Sequence, residues 1–198
     1  MGHYFINDDN LKSEIKVFSV CLFDKTFKFK TDNGVFSKEK LDFGTRLLLE
    51  NIPIKDLSGD VLDLGCGYGV VSIILSKFTD ASFDAVDVNR RALHLFEMNI
   101  KLNKVNNIKL FESDCYGSID KNKKYDYIIT NPPIRAGKEI VYKMLRGARD
   151  YLKERGELYF VMRKDHGAKT AIRDISDIYD CEIIAKEKGF FVIKCFSR

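Results

Sequence analysis

The stretch Val61-Leu62-Asp63-Leu64-Gly65-Cys66-Gly67-Tyr68-Gly69 decides how the rest of the chain is read. An apolar run, glycines at every second position and then Val70, Val71, Ile73, Ile74 and Leu75 describe a buried strand, a tight loop and a helix in succession. A dinucleotide-binding loop spaces its glycines as Gly-x-Gly-x-x-Gly; here the third glycine comes one position early and Val70 stands where it is wanted, which argues against NAD. Asp63 argues the same way, because a carboxylate at the strand end repels a pyrophosphate. It could pair with a cationic amino group or organise the loop's amides, and so suits a cofactor with a positive end.

Beyond the loop the pattern alternates. It predicts a strand at Ser82–Val88, a helix at Arg90–Leu102, strands at Ile108–Glu112 and Tyr125–Thr130, a helix at Lys138–Leu152, a strand at Glu157–Met162 and a helix at Ala168–Tyr179. Such an order implies a mostly parallel sheet covered on both faces. Cys181–Glu187 and Phe190–Phe196, joined by Lys188-Gly189, read as a closing antiparallel hairpin with one reversed strand at or near the sheet edge. The expected fold class is therefore α/β, Rossmann-like, with a mostly parallel seven-stranded sheet.

Before the loop, residues 27–37 alternate apolar and polar around Asn33-Gly34, a strong hairpin signal, and a short helix is possible over Leu11–Val20. Leu41, Phe43, Leu47, Leu48 and Leu49 form a helical stripe that Pro53 ends, since the residue before proline is pushed out of the α region. We expect one domain over 1–198, with 1–52 as an N-terminal hairpin and helix extension and 53–198 as the cofactor-binding sheet.

The 198 residues suffice for a substantial core, and 45% hydrophobic with 31% charged residues reads as soluble and globular. Lys and Arg outnumber Asp and Glu by 33 to 29, a mild bias that permits an anionic partner without requiring one. Five scattered cysteines without Cys-x-x-Cys suggest neither a zinc site nor a disulfide framework, and His3, His94 and His166 share no metal spacing. Reduced thiols, no leader peptide and no membrane-length apolar run give the expectation of a cytoplasmic protein with no membrane partner and no metal.

The acids fall where ligands of open α/β sheets bind, at carboxyl ends of strands. Asp87 ends the second predicted strand and could accept hydrogen bonds from both hydroxyls of a ribose; Asp114, after the third, could meet an adenine amino group. Asn131-Pro132-Pro133-Ile134 follows the fourth. Its prolines remove two backbone donors, so that the Asn131 amide and nearby carbonyls are rigid acceptors. Acceptors of that kind suit an amine conjugated to a ring or carbonyl, because binding its N–H groups frees the nitrogen lone pair for attack. Arg135, Lys138, Arg163 and Lys164 near the cleft, with Lys28, Lys30 and Lys38 by the hairpin, could follow a phosphate backbone. Each alone reads as a solvated charge, except Arg135, which directly follows Asn131-Pro132-Pro133-Ile134.

Gly34-Val35-Phe36-Ser37, Leu41-Asp42-Phe43-Gly44-Thr45, the loop itself, Asp87 and Asn131-Pro132-Pro133 together resemble class I S-adenosylmethionine-dependent methyltransferases. The resemblance covers about residues 27–196 and is to the small-domain group that includes the bacterial small-subunit ribosomal RNA guanine-N2 enzymes. It implies that Asp63, Gly65 and Gly67 hold the methionine end of S-adenosylmethionine, with Cys66 between the glycines also at the cofactor, Asp87 the ribose and Asp114 the adenine. Gly44 and Thr45 would approach the cofactor carboxylate. Asn131 would lie at the cofactor and, with Pro132, bind the target amine. Phe36, Pro133, Ile134 and Arg135 would meet the substrate. Amino-methylating relatives usually carry Tyr or Phe where this chain has Ile134, which removes a stacking platform worth about 1–3 kcal/mol to a flipped base; Phe36 could supply a ring instead. The expected activity is methylation of a nucleobase exocyclic amine, guanine N2 in ribosomal RNA. RNA is then the partner, and a homodimer is possible. Methylation of a protein glutamine amide, and a non-catalytic cofactor-binding module, are the alternatives.

Overall fold

The structure is a computed structural model that describes residues 12–198. His3 and the first residue of the expected Leu11–Val20 helix lie outside the described residues. In chain order the elements are β1 (Lys16–Leu22), β2 (Lys25–Thr31), α1 (Phe43–Asn51), β3 (Asp60–Leu64), α2 (Val70–Leu75), β4 (Ser82–Asp87), α3 (Arg90–Asn103), β5 (Ile108–Glu112), β6 (Tyr125–Thr130), α4 (Lys138–Tyr151), β7 (Leu152–Arg163), α5 (Ala168–Asp174), β8 (Tyr179–Glu187) and β9 (Phe190–Ser197).

Seven strands pair in the order β5-β4-β3-β6-β7-β9-β8. All run parallel except β9, which is antiparallel to both β7 and β8 and so lies one place in from the edge. The pleat sends Val61 to a core shared with α1, α2 and α3, and Leu62 and Leu64 to a second core beneath α4 and α5. The fold class read from the sequence is the one observed.

The N-terminal hairpin exists but its turn is displaced. β1 pairs with β2 through Phe23-Asp24, which adopt φ of 51° and 59°, the left-handed pair that a two-residue hairpin loop requires. A left-handed Phe costs roughly 1–2 kcal/mol, and the Phe23 ring offsets it by packing edge-on against Phe78 at 5.4 Å. Asn33-Gly34 turns the chain without starting a strand; the Asp32 carboxylate before it accepts from the adjacent Asn33 amide and from the Ser13 hydroxyl, 19 residues back. The helix expected over 11–20 is also overturned: Lys16–Val20 are strand.

The outer edge of β2 is closed by side chains. Asn99 of α3 accepts from the Lys30 N–H and donates to the Lys30 carbonyl, while Asn103, one turn on, does the same for Lys28. Asn99 donates in addition to the Tyr68 carbonyl at 2.9 Å, so a single buried amide joins hairpin, helix and glycine loop.

Two further boundaries differ. α5 stops at Asp174 instead of reaching Tyr179, since Asp174 and Ser176 bond locally; the Ser176 hydroxyl returns to the Arg173 carbonyl. β7 begins at Leu152, five residues early, with a register shift opposite Tyr125 and Tyr127. The reading of five reduced cysteines is corrected as well. Cys181 and Cys195 face each other across β8 and β9 and form a disulfide, leaving Cys21, Cys66 and Cys115 free. Among the described residues no helix is long and apolar enough to cross a membrane.

Candidate active site

The loop after β3 is fixed by bonds that only its backbone could make. Gly65 and Cys66 both donate to the Val86 carbonyl at 2.9 Å, and Gly65, Gly67 and Gly69 take φ of 74°, 55° and 96°. Three left-handed residues at alternate positions explain the glycine spacing. At Gly69 a Cβ would stand 2.2 Å from the Phe96 ring, whereas at Gly67 it would meet nothing within 4 Å. The loop thus packs on α3 at one end and faces open space in the middle.

Asp63 is bonded to α2 and not to the loop's amides. Its carboxylate accepts from the Ser72 hydroxyl at 2.5 Å and the Ser72 amide at 3.1 Å, so it anchors α2 under the loop. Burial pushes the carboxyl up to about 7 against those two bonds, with the neighbouring Asp87 charge adding to the rise. Asp87, at the end of β4, accepts from the Gly67 amide and the Asn89 amide, both at 2.8 Å. Burial raises its pKa too, and the amide bonds oppose the rise. Among the described residues no Lys or Arg forms an ion pair with Asp63 or Asp87, so a cationic ligand would relieve both. Val88, directly after Asp87, is an exposed apolar side chain. Two uncompensated acids, an open glycine loop and an apolar face beside them fit a cationic nucleoside such as S-adenosylmethionine.

Across β6 lies Asn131. Its Nδ2 donates to Thr45 Oγ1 at 2.9 Å and to Asp42 Oδ2 at 3.2 Å. A carboxylate only accepts, so the amide nitrogen must face Asp42, and Asn131 Oδ1 is left as the acceptor on the other side. Asp42 is itself held as the N-cap of α1, accepting from the Thr45 amide at 2.9 Å and the Thr45 hydroxyl at 3.3 Å. The Thr130 hydroxyl donates to the Leu64 carbonyl at 2.7 Å, which ties the end of β6 to the strand that opens the glycine loop.

The other expected site residues differ in burial and in what they contact. Cys66 is buried, its amide donates to Val86 of β4, its carbonyl accepts from Gly69, and burial holds its thiol well above the usual range. Asp114 is exposed and paired with Lys143 of α4 at 3.0 Å. Thr45 is buried, engaged in positioning Asn131. At Gly44 a Cβ would lie 2.8 Å from the Phe190 ring, so that side of α1 is covered by the β8–β9 hairpin tip. Pro132 is buried, Pro133 half-buried, and Ile134 packs partly onto the core under α4; Arg135 is exposed in a short turn, Ile134–Ala136. Phe36 is exposed, one residue from Ser37, whose carbonyl accepts from the Tyr68 hydroxyl of the glycine loop.

Sequence reasoning assigned no role to Asp42, Phe43 or Phe190. Asp42 gave a local signal as an Asx cap before a helix, yet its contact with Asn131 spans 89 residues. Phe43 and Phe190 meet at 5.5 Å, with Arg163 over the Phe190 ring at 5.4 Å and Lys188 over Phe43 at 4.6 Å. No sequence pattern brings these together.

A family model described as methyltransferase small domain matches residues 26–194. A Bacillus subtilis relative, uncharacterized protein YbxB, is 38% identical over 194 residues, 97% of this chain and 96% of its own. A ribosomal RNA small subunit methyltransferase C from Psychromonas ingrahamii is 32% identical over 176 residues, 82% of this chain but 49% of its own. This chain therefore spans about half the length of that enzyme. Among solved structures, a T. thermophilus 16S rRNA N2 methyltransferase in complex with AdoMet and guanosine superposes with a TM-score of 0.83 at 22% identity, covering 95% of this chain and 52% of that one.

Proposed function

The chain belongs to the methyltransferase small domain family, and from that premise we propose that it uses S-adenosylmethionine to methylate an exocyclic amine of a nucleobase in ribosomal RNA, guanine N2 being the acceptor the site suits best. The observation that carries this reading is the forced orientation of Asn131: with its nitrogen committed to Asp42 and Thr45, its oxygen is a fixed acceptor at the cleft.

Each part of the site then has a task. Asp63 and the Gly65–Gly67 backbone would hold the amino-acid end of the cofactor, Asp87 its ribose, and Val88 one face of its base. Bound there, S-adenosylmethionine supplies an electrophilic methyl group on a cationic sulfur. Asn131 Oδ1 and the Pro132 carbonyl accept the two N–H groups of the acceptor amine. That hydrogen bonding favours a pyramidal nitrogen and turns its lone pair toward the methyl, a stabilisation realised mainly in the transition state.

The test is methyl transfer from labelled cofactor into small-subunit RNA, followed by mass spectrometry of the nucleosides. N2-methylguanosine is expected, with near-complete loss in Asn131→Ala. Label in a protein glutamine instead of RNA would refute the nucleobase reading while leaving the amine chemistry intact.

A further inference from the structure

A groove of about 450 Å³ opens where the hairpin meets the ends of α2 and α3, and its walls carry Lys25, Lys28, Lys77 and Lys104 beside Thr26 and Asn103. No carboxylate lines it, and among the described residues none of the four lysines forms an ion pair. Their stems are nonetheless held. Lys25 Nζ donates to the Lys77 carbonyl at 3.2 Å and lies 4.3 Å over the Phe78 ring, and Lys77 Nζ donates to the Lys104 carbonyl at 2.8 Å. The backbone of Lys28 is clamped by Asn103. An ammonium group has three donors, so each of the bonded ones keeps two.

Helix ends explain only half of this cluster. Cations are favoured at helix C-termini, which accounts for Lys77 after α2 and Lys104 after α3. Lys25 and Lys28 come from β2 and add like charge to a place already positive. The ligand that repays such an arrangement is an anion with several charges in a row. The position narrows it further. α2 and α3 start at the carboxyl ends of β3 and β4, beside Asp87, and return to the opposite edge of the sheet, so the groove lies roughly 20 Å from the cleft at about 3.3 Å per strand residue. A mononucleotide cannot span that distance, but a polymer can.

We propose that this lysine groove binds the phosphodiester backbone of the acceptor RNA, at a point remote from the reacting base. The inference rests on the RNA reading above and adds a second contact to it. Phosphate contacts fix register without reading sequence, so the groove supplies affinity and placement while the cleft selects the amine.

The experiment compares wild type with a variant carrying Lys25→Gln, Lys28→Gln, Lys77→Gln and Lys104→Gln, and with the corresponding four Lys→Arg changes. Binding of a fluorescent small-subunit RNA fragment is followed from about 50 to 200 mM salt. Four lost contacts should reduce the slope of log K against log salt by about 3, and weaken binding at least tenfold, equally for an unrelated RNA of the same length. The Arg variant should keep both slope and affinity. Thermal shift with S-adenosylmethionine, and turnover on free guanosine, should be unchanged in all three proteins. An unaltered slope and affinity in the Gln variant, with wild type still methylating RNA, overturns the groove and leaves the function standing. Wild type that neither binds nor methylates RNA overturns both.

Discussion

Replacing Asp42 separates capping from orientation at the heart of the site. Its Oδ2 accepts from the Thr45 amide, the Thr45 hydroxyl and the Asn131 side chain. Asp42→Ala removes an N-cap, which costs about 1–2 kcal/mol, and at about 2–4 °C per kcal/mol for a chain of this size Tm should fall by roughly 2–8 °C. The same change releases one of the two contacts that force the Asn131 oxygen toward the cleft. A hydrogen bond to a charged acceptor contributes about 1.5–3 kcal/mol; at 3.2 Å the lower figure applies, which is about tenfold in kcat. Asp42→Asn is the discriminating partner. Asn caps as well as Asp, but a neutral acceptor bonds about half as strongly, so Tm should hold while kcat falls roughly threefold. The assays are differential scanning fluorimetry, and methyl transfer from labelled cofactor at saturating cofactor and RNA. Cofactor affinity by calorimetry should stay within about twofold in both variants, since Asp42 acts through Asn131. If Asp42→Ala loses its stability but keeps wild-type kcat, the carboxylate is only a cap and the orientation argument is wrong.

Three other outcomes follow from particular contacts. Asn99→Ala leaves the Lys30 N–H and the Lys30 and Tyr68 carbonyls without their partner, so at about 1 kcal/mol per bond it should cost about 3 kcal/mol and weaken cofactor binding through the loop; urea unfolding with a loss below about 1 kcal/mol would contradict this. Because the Asp63 carboxyl is raised from 3.8 to about 7 in the folded chain, the native state holds a proton that the unfolded state has lost between those values. Its contribution to stability is therefore full below about pH 4 and gone above about 7, and binding a cationic cofactor near pH 6 should release close to one proton, measurable by calorimetry in buffers of different ionisation enthalpy; no release would remove Asp63 from the cofactor's cationic end. Finally, thiol titration of the denatured, non-reduced protein should find three cysteines, Cys21, Cys66 and Cys115, and five after reduction. Five before reduction would refute the Cys181–Cys195 bond.

What could be read from the sequence was what is local in the chain. The strand, the three left-handed glycines and α2 lie within sixteen consecutive residues, and each leaves its own mark in period or residue type. Asn131-Pro132-Pro133 is equally compact, and its place after a strand needed no partner to be recognised. The hairpin shows where this stops. β2 was visible from its alternation, but its partner was sought after Asn33-Gly34, because a Phe and an Asp in left-handed conformations are a less common way to turn than Asn-Gly. Asp114 satisfied the topological rule for a ligand acid, while its ion pair with Lys143 of α4, 29 residues on, left no mark in the sequence. The Asp42–Asn131 contact, the Phe43–Phe190 pair and the Cys181–Cys195 bond all depend on register or on elements far apart in sequence. Periodicity carries no information about such meetings.

The asparagine closure of β2 bears on how the chain is made. Lys28 and Lys30 emerge first from the ribosome, and the residues that cover them, Asn103 and Asn99, come 75 and 69 positions later. At about 5–20 residues per second, translation leaves this edge bare for roughly 4–15 s, with Phe27 and Phe29 still lacking the helices they pack against. A two-stranded ribbon with an open edge and two aromatic rings on one face is a template for intermolecular pairing. Lys25, Lys28 and Lys30 along that strand are the kind of charge that opposes such pairing until α3 covers the edge.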